Sequence, residues 1–140
     1  MKKIRKAVIP AAGFGTRFLP FTKAMPKEML PLVDTPTIEY IVREAMESGI
    51  TDFLIIINEG KECIKTHFGE NKILENFLLE KNKTKEIDII QELPKKIHVE
   101  YVYQHKQLGL GHAVLCAKEF VNHEPFALLL GDCLLYTSDA

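Results

Sequence analysis

AVIPAAGFGTRFLPFTKAMPKEMLP, which occupies residues 7–31, carries the strongest structural signal in this chain. It begins with a short apolar run, and the loop from Ala11 onward contains two glycines, three prolines, three cations and one acid. Because glycine lets the backbone approach an anion closely, successive amides near Gly13 and Gly15 can converge on phosphate oxygens. Arg17 adds a planar, permanently charged fork, and the prolines restrict the backbone that carries it. The pattern predicts a short strand followed by a triphosphate-binding loop.

This loop differs from the two best-known phosphate-binding motifs. A dinucleotide fingerprint requires a third glycine where Phe18 stands, and Asp34 falls in a proline-flanked turn instead of ending a second strand. A Walker loop requires Gly-Lys-Ser/Thr, which does not occur. A mobile surface loop is the alternative interpretation, since short clusters of glycine and proline usually mark plain turns.

Strand and helix patterns alternate along the rest of the chain. Ile38, Val42 and Ala45 recur at helical spacing, whereas Phe53 to Ile57 is the unbroken apolar run of a strand buried on both faces. The predicted elements are a strand at 7–12, a helix with Thr35 as its cap and Pro36 in its first turn, a strand at 53–57, a charged helical region at 62–93 that Pro94 ends, a strand at 99–103, a helix at about 112–120 and a strand at 126–130. This order predicts an α/β fold, a Rossmann-like three-layer sandwich with a mainly parallel sheet.

Ligands in such folds bind outside the carboxyl ends of the strands. Three loops with unusual residues follow predicted strands: the one beginning at Ala11, the one at 104–111, and Gly131-Asp132. We therefore expect all three loops to meet at one edge of the sheet.

Composition narrows the class of partner. The 140 residues carry 18 basic and 19 acidic side chains, and this balance argues against binding to nucleic acid or to an anionic membrane. The three cysteines are odd in number and widely spaced, which favours reduced thiols in a cytoplasmic protein. No apolar window reaches the length of a membrane span, and Pro10 interrupts the run that follows the basic amino terminus too early for a signal peptide.

Two separated motifs carry a family resemblance. GFGTRFLP at 13–20 followed by PKEMLP at 26–31 resembles the signature of the sugar-phosphate nucleotidylyltransferases, and LGLGHAVLCA at 108–117 is similar to the bacterial UTP:glucose-1-phosphate uridylyltransferase branch. The resemblance implies a nucleotidyltransferase-type fold, incomplete at the C-terminus. It also implies transfer of a uridylyl group from UTP to α-D-glucose 1-phosphate, giving UDP-glucose and pyrophosphate, with Mg²⁺ as cofactor.

The resemblance implies two regions. Residues 1–132 correspond to the N-terminal part of the family's domain, whereas the ending CLLYTSDA, at 133–140, does not match and suggests a truncated or artefactual tail. In the family, a long second half supplies the sugar-contacting residues and much of the subunit interface. We therefore expect this chain alone to be poorly active, and a homo-oligomer for the full-length protein.

The resemblance, together with the chemistry of phosphoryl transfer, suggests roles for individual residues. Arg17 is the candidate for holding the β and γ phosphates, with the amides of Gly13, Gly15 and Thr16 assisting, and Lys27 is the candidate cation near the α-phosphate. Asp132 corresponds to the family's magnesium ligand. The resemblance places uridine in a pocket whose members are Ala12, Gly13, Glu28, Gln104 and Gly109.

Gln104 and His112, on either side of Gly109, have separate interpretations. The amide of Gln104 can both donate and accept, which suits the edge of uracil. His112 follows Gly111 at the predicted start of a helix, where we favour a structural cap over a catalytic role, because the reaction needs no imidazole base.

Other functions remain open on sequence grounds. A thymidylyl- or cytidylyltransferase of the same family shares the first motif, and only the loop around Gln104 and Gly109 argues against it. A noncatalytic nucleotide-binding module keeps the pocket without the metal, and an NAD-dependent oxidoreductase is the most distant alternative.

Overall fold

Four parallel strands form the central sheet. A computed structural model describes residues 3–130. The strands are β1 (Lys6–Pro10), β4 (Asp52–Ile57), β5 (His98–Tyr103) and β6 (Phe126–Leu128), in the order β5-β4-β1-β6, and every neighbouring pair is parallel. A separate two-stranded antiparallel ladder consists of β2 (Pro31–Leu32) and β3 (Thr35–Pro36).

Helices cover both faces of the sheet. They are α1 (Thr37–Glu47), α2 (Glu62–Phe68), α3 (Lys72–Glu80), α4 (Thr84–Lys96), α5 (Leu110–Leu115) and α6 (Lys118–Val121). Alternate residues of β4 enter different cores: Phe53, Ile55 and Ile57 pack with α1, α2 and α4, whereas Leu54 and Ile56 pack with α5 and the turn behind it. This confirms the predicted α/β sandwich, and it explains why β4 is apolar without alternation.

The structure corrects three predicted boundaries. Thr35 and Pro36 are not the cap and first turn of a helix, because they pair with β2, and α1 begins at Thr37. Pro94 does not end α4, which continues to Lys96; a proline so close to the end of a helix forfeits only one late backbone hydrogen bond. The helix predicted from about 112 to 120 is two short helices, α5 and α6.

The topology identifies where a ligand-binding crevice forms. The chain leaves β1 for β4 and β5 on one side and returns to β6 on the other side of β1. Such a switch in direction opens a crevice outside the carboxyl ends of the strands, next to β1. The loop that begins at Ala11 emerges at this point.

Among residues 3–130, no helix has the length and apolar character needed to cross a membrane. The predicted boundary at residue 132 and the predicted tail lie outside the described residues.

Candidate functional site

Loops from three strands meet at the carbonyl oxygen of Ala12. This oxygen accepts one hydrogen bond from the side-chain amide of Asn58, which follows β4, and a second of 2.8 Å from Nε2 of Gln107, which lies beyond β5. Ala12 itself is 3% exposed. The two sequence motifs, far apart in the chain, are therefore adjacent at the carboxyl edge of the sheet, as the topology predicted.

The glycine loop is folded into short turns. Three 3₁₀ helices, Thr16–Phe18, Phe21–Lys23 and Lys27–Met29, carry the chain from Gly15 to β2. Gly15 has φ of 62°, and its carbonyl accepts a 2.8 Å hydrogen bond from Oγ1 of Thr22. A Cβ at Gly15 would lie 3.0 Å from Cγ2 of Thr22 and 3.3 Å from Cβ of Lys27, so both the dihedral angle and the packing require glycine here.

Gly13 occupies a different environment. It is exposed, and a Cβ built on it would meet no atom within 4 Å. Thr16 and Arg17 are also exposed on the first 3₁₀ turn, whereas Lys27 is half-buried on the third. Glycine without neighbours on its Cα leaves the backbone amides of this loop accessible, which suits the approach of an anion.

Glu28 forms a buried ion pair that the sequence did not reveal. Its Oε1 lies 2.9 Å from Nζ of Lys61, and the two side chains are 2% and 7% exposed. Burial lowers the pKa of Lys61, an effect that the carboxylate of Glu28 opposes. Oε2 of Glu28 is buried and has no hydrogen-bond partner within the part of the chain that the structure describes. Lys61 lies just before α2, where nothing in the local sequence pattern signals a distant partner.

Gln104 and Gly109 are in contact, as the pocket prediction requires. Gln104 is 5% exposed, and its backbone amide donates to Ile57, which extends the β4–β5 ladder by one bond. Its side-chain Nε2 lies 3.3 Å from the Gly109 carbonyl and 3.0 Å from Nδ1 of His112. The interpretation of His112 as a helix cap is wrong: α5 begins at Leu110 with Gly109 as its N-cap, so His112 is the third residue of the helix and faces Gln104.

Buried polar side chains concentrate at this edge. The described chain buries five, and all but Glu75 belong to the site: Glu28, Asn58, Lys61 and Gln104. Buried polar groups cost folding free energy unless they are paired, so such a concentration is typical of functional sites. Sequence reasoning missed Asn58, Lys61 and Gln107, because each acts through a residue that is remote in the chain.

The residue predicted to bind metal, Asp132, lies outside the described residues. Between residues 3 and 130 there is no group of three or more His, Cys, Asp or Glu side chains that could hold an ion. The ladder between β1 and β6 continues to Leu129, whose amide donates to the Val8 carbonyl. The chain beyond β6 thus continues from the strand beside β1. A single aspartate can suffice for Mg²⁺ when the ion also binds phosphate oxygens, because it then needs only one or two carboxylates.

A family model and several known proteins match this chain. The model described as "Nucleotidyl transferase" matches residues 6–140. A curated protein of Bacillus subtilis (strain 168), "UTP--glucose-1-phosphate uridylyltransferase YngB", is 57% identical over 134 residues, which is 96% of this chain and 45% of that protein.

Solved structures agree with the sequence match. "UTP-bound UGPase from acinetobacter baumannii" superposes with a TM-score of 0.89 at 47% identity, covering 92% of this chain and 46% of that one. "The Crystal Structure of UDP-glucose pyrophosphorylase complexed with UDP-glucose" superposes with a TM-score of 0.75 at 42% identity, with the same coverage. The chain spans less than half the length of the proteins it matches.

Proposed function

The chain belongs to the nucleotidyl transferase family, and on that premise we propose that it is the nucleotide-binding part of a UTP:glucose-1-phosphate uridylyltransferase. In this reaction an oxygen of the sugar 1-phosphate attacks the α-phosphorus of UTP. The bond from that phosphorus to the bridging oxygen of the β-phosphate breaks, and pyrophosphate leaves with the electron pair. No protein nucleophile is needed, so the chain's task is to position the nucleotide and to balance charge.

The observation that carries the proposal is the junction at the Ala12 carbonyl. It brings the glycine loop, with Arg17 and Lys27, next to the loop that contains Gln104 and Gly109. A nucleotide can therefore place its base at one loop and its phosphates at the other. The thymidylyl, cytidylyl and NAD-dependent alternatives are not favoured, because the similar proteins named above, at 42–57% identity, carry uridylyltransferase and UDP-glucose pyrophosphorylase names.

In the proposed site, Arg17 holds the β and γ phosphates and stabilises the leaving pyrophosphate. The backbone amides of Gly13, Gly15 and Thr16 assist, and Lys27 neutralises charge near the α-phosphate. Support comes from the open space at Gly13 and from the tight packing that fixes Gly15 beneath Lys27.

The proposed uridine pocket comprises Ala12, Gly13, Glu28, Gln104 and Gly109. Small residues at three of these positions leave room for a flat ring. The two buried polar side chains, Glu28 and Gln104, supply the hydrogen-bonding groups.

We further propose that Asp132 holds Mg²⁺ against the phosphates. When bound, the ion neutralises phosphate charge and orients the leaving group. UTP-binding assays with and without Mg²⁺ test this proposal. Asp132→Asn should abolish the Mg²⁺-dependent gain in UTP affinity.

We assign binding of the sugar to the part of the family's sequence that lies outside the region matched by this chain. We propose that the 140-residue chain binds UTP in the cytoplasm and turns over poorly by itself, and that the full-length protein is a homo-oligomer. A normal rate of pyrophosphate release by the purified chain would contradict this part of the proposal.

Calorimetric titration with UTP, UDP and UMP tests the function itself. We expect affinity to rise with each phosphate, and Arg17→Ala to weaken UTP binding at least about tenfold while UMP changes much less, because charge-assisted hydrogen bonds contribute about 1.5–3 kcal/mol. Lys85→Ala, an exposed cation on α4, is the charge-matched control. Equal affinity for all three nucleotides, or none for UTP in a folded sample, would refute the proposed function.

A further inference from the structure

The contacts of the Gln104 side chain identify which atom of its amide is the nitrogen. A backbone carbonyl can only accept a hydrogen bond, so the Gln104 atom that lies 3.3 Å from the Gly109 oxygen must be the nitrogen. Exchanging the amide nitrogen and oxygen would bring two acceptors together. The Gly109 contact therefore identifies the nitrogen without any assumption about the tautomer of His112, although a bond of 3.3 Å is only a weak restraint on the amide.

This orientation determines the tautomer of His112. Its Nδ1 lies 3.0 Å from the same amide nitrogen, which is a donor, so Nδ1 must be the acceptor. The proton of the neutral ring then resides on Nε2. His112 is half-buried on α5, so the helix holds the ring in place.

Both hydrogens of the amide are thereby used inside the protein. One is donated to Gly109 and the other to His112, and the amide oxygen, Oε1, is the atom left for a ligand. Within the described part of the chain, Oε1 receives no hydrogen bond. In the proposed uridine pocket, Gln104 thus supplies an acceptor.

We propose that His112 is a positioning residue that determines base specificity by holding the Gln104 amide with its oxygen toward the nucleotide. An acceptor at this point selects a base with a ring N–H, as uracil and thymine have at N3. It rejects cytosine, whose N3 is itself an acceptor. The inference rests on the proposed function, since it assumes that a pyrimidine nucleotide binds beside Gln104.

His112 matters because the Gly109 bond is long. At 3.3 Å it is the weaker of the two restraints on the amide, and the 3.0 Å bond to Nδ1 is the stronger. Without an acceptor at position 112, the amide can rotate and offer its NH₂ group to the ligand. Discrimination between uracil and cytosine then disappears, although the pocket keeps its shape.

Two variants at one position test the proposal. His112→Leu removes the acceptor, whereas His112→Asp retains an acceptor oxygen near the place of Nδ1. Binding of UTP, CTP and 3-methyl-UTP is measured by calorimetry, and the readout is the ratio of dissociation constants, which a loss of folded protein does not alter. 3-Methyl-UTP keeps the uracil ring but lacks the N3 donor.

We expect the wild-type chain to bind CTP and 3-methyl-UTP at least about tenfold more weakly than UTP. His112→Leu should reduce both ratios to less than about threefold, and His112→Asp should restore them, even if its negative charge weakens the binding of all three nucleotides. Unchanged ratios in His112→Leu would overturn the inference, because the loss of a purely structural histidine weakens the binding of every nucleotide by the same factor.

Nitrogen NMR of the wild-type chain supplies a measurement that needs no variant. A neutral His112 with its proton on Nε2 supports the proposal, and a proton on Nδ1 overturns it. A chain that does not bind UTP refutes the proposed function. A chain that prefers UTP with or without His112 refutes only the role of this histidine.

Discussion

The side-chain amide of Gln107 donates a 2.8 Å hydrogen bond to the carbonyl of Ala12, and it thereby joins two loops that are 95 residues apart in the chain. The Ala12 carbonyl is the common acceptor of both distant loops, since Asn58 also donates to it. The proposed phosphate loop and base loop are thus held in register by one backbone oxygen.

Replacing Gln107 therefore tests this connection. We expect Gln107→Ala to lower the free energy of unfolding by about 1 kcal/mol, because one hydrogen bond is lost while Asn58 still satisfies the carbonyl. UTP affinity should fall as well, since the two loops lose a restraint. Gln91→Ala, which removes a hydrogen bond to Glu75 on α3, is the control for stability without a change in UTP affinity. Identical UTP affinity in both variants would contradict the prediction.

The two glycines of the first loop should respond differently to alanine. Gly15→Ala forces a Cβ into a left-handed residue against Thr22, so we expect a loss of about 1–2 kcal/mol in urea unfolding. Gly13→Ala meets no atom of the described chain, so its stability should stay within about 0.5 kcal/mol of the wild type. Its UTP affinity should nevertheless drop, because the methyl group fills the space proposed for the ligand. Equal effects of the two substitutions on stability would show that the loop is not packed as described.

Removing one partner of the buried pair of Glu28 and Lys61 should lower the free energy of unfolding much more than replacing both partners. Lys61→Met leaves a buried carboxylate uncompensated, and we expect a loss of about 3–5 kcal/mol in denaturant unfolding. The double variant with Glu28→Gln should recover much of this loss, because no buried charge remains. Lys96→Met, which breaks the exposed pair with Glu92 at the end of α4, should cost less than about 1 kcal/mol. If Lys61→Met proves as mild as Lys96→Met, the pair is not buried in solution.

Tyr101 should make the chain sensitive to alkaline pH. Burial raises the pKa of Tyr101 from 10 to about 12. Since the folded-state pKa exceeds the unfolded one, the associated stability is complete below pH 10 and is lost as pH rises toward 12. The ring is only partly buried, so we expect a contribution of about 1 kcal/mol that disappears over this window. The stability difference between wild type and Tyr101→Phe, measured at pH 9 and pH 11, isolates it from other titrating groups. A difference that does not change with pH would disprove the assignment.

Most of the fold could be predicted because its signals are local. The helical spacing of Ile38, Val42 and Ala45 and the unbroken apolar run of β4 reflect burial on one face or on both. The predicted element boundaries were wrong where pairing with another segment overrode the local conformational preference. Thr35 and Pro36 look like a helix start, but pairing with Pro31 and Leu32 converts them into a ladder.

The site divides in the same way. The glycines, arginine and lysine of the proposed phosphate loop could be identified from residue chemistry, and so could the position of Gln104 after a strand. The interpretation of His112 as a helix cap was wrong, because α5 begins earlier, at Leu110. The side chain of His112 instead faces Gln104, which follows β5.

The sequence by itself determined the order of strands and helices and the two loops from which a nucleotide site can be built, since hydrophobic periodicity and glycine chemistry act over a few neighbouring residues. Only the tertiary structure decided which polar groups meet: Lys61 with Glu28, Gln107 with Ala12, and His112 with Gln104. The physical reason is that the partner of a buried polar group is chosen by how the sheet stacks distant segments together. Hydrogen-bond direction is set only once donor and acceptor lie within about 3 Å of each other.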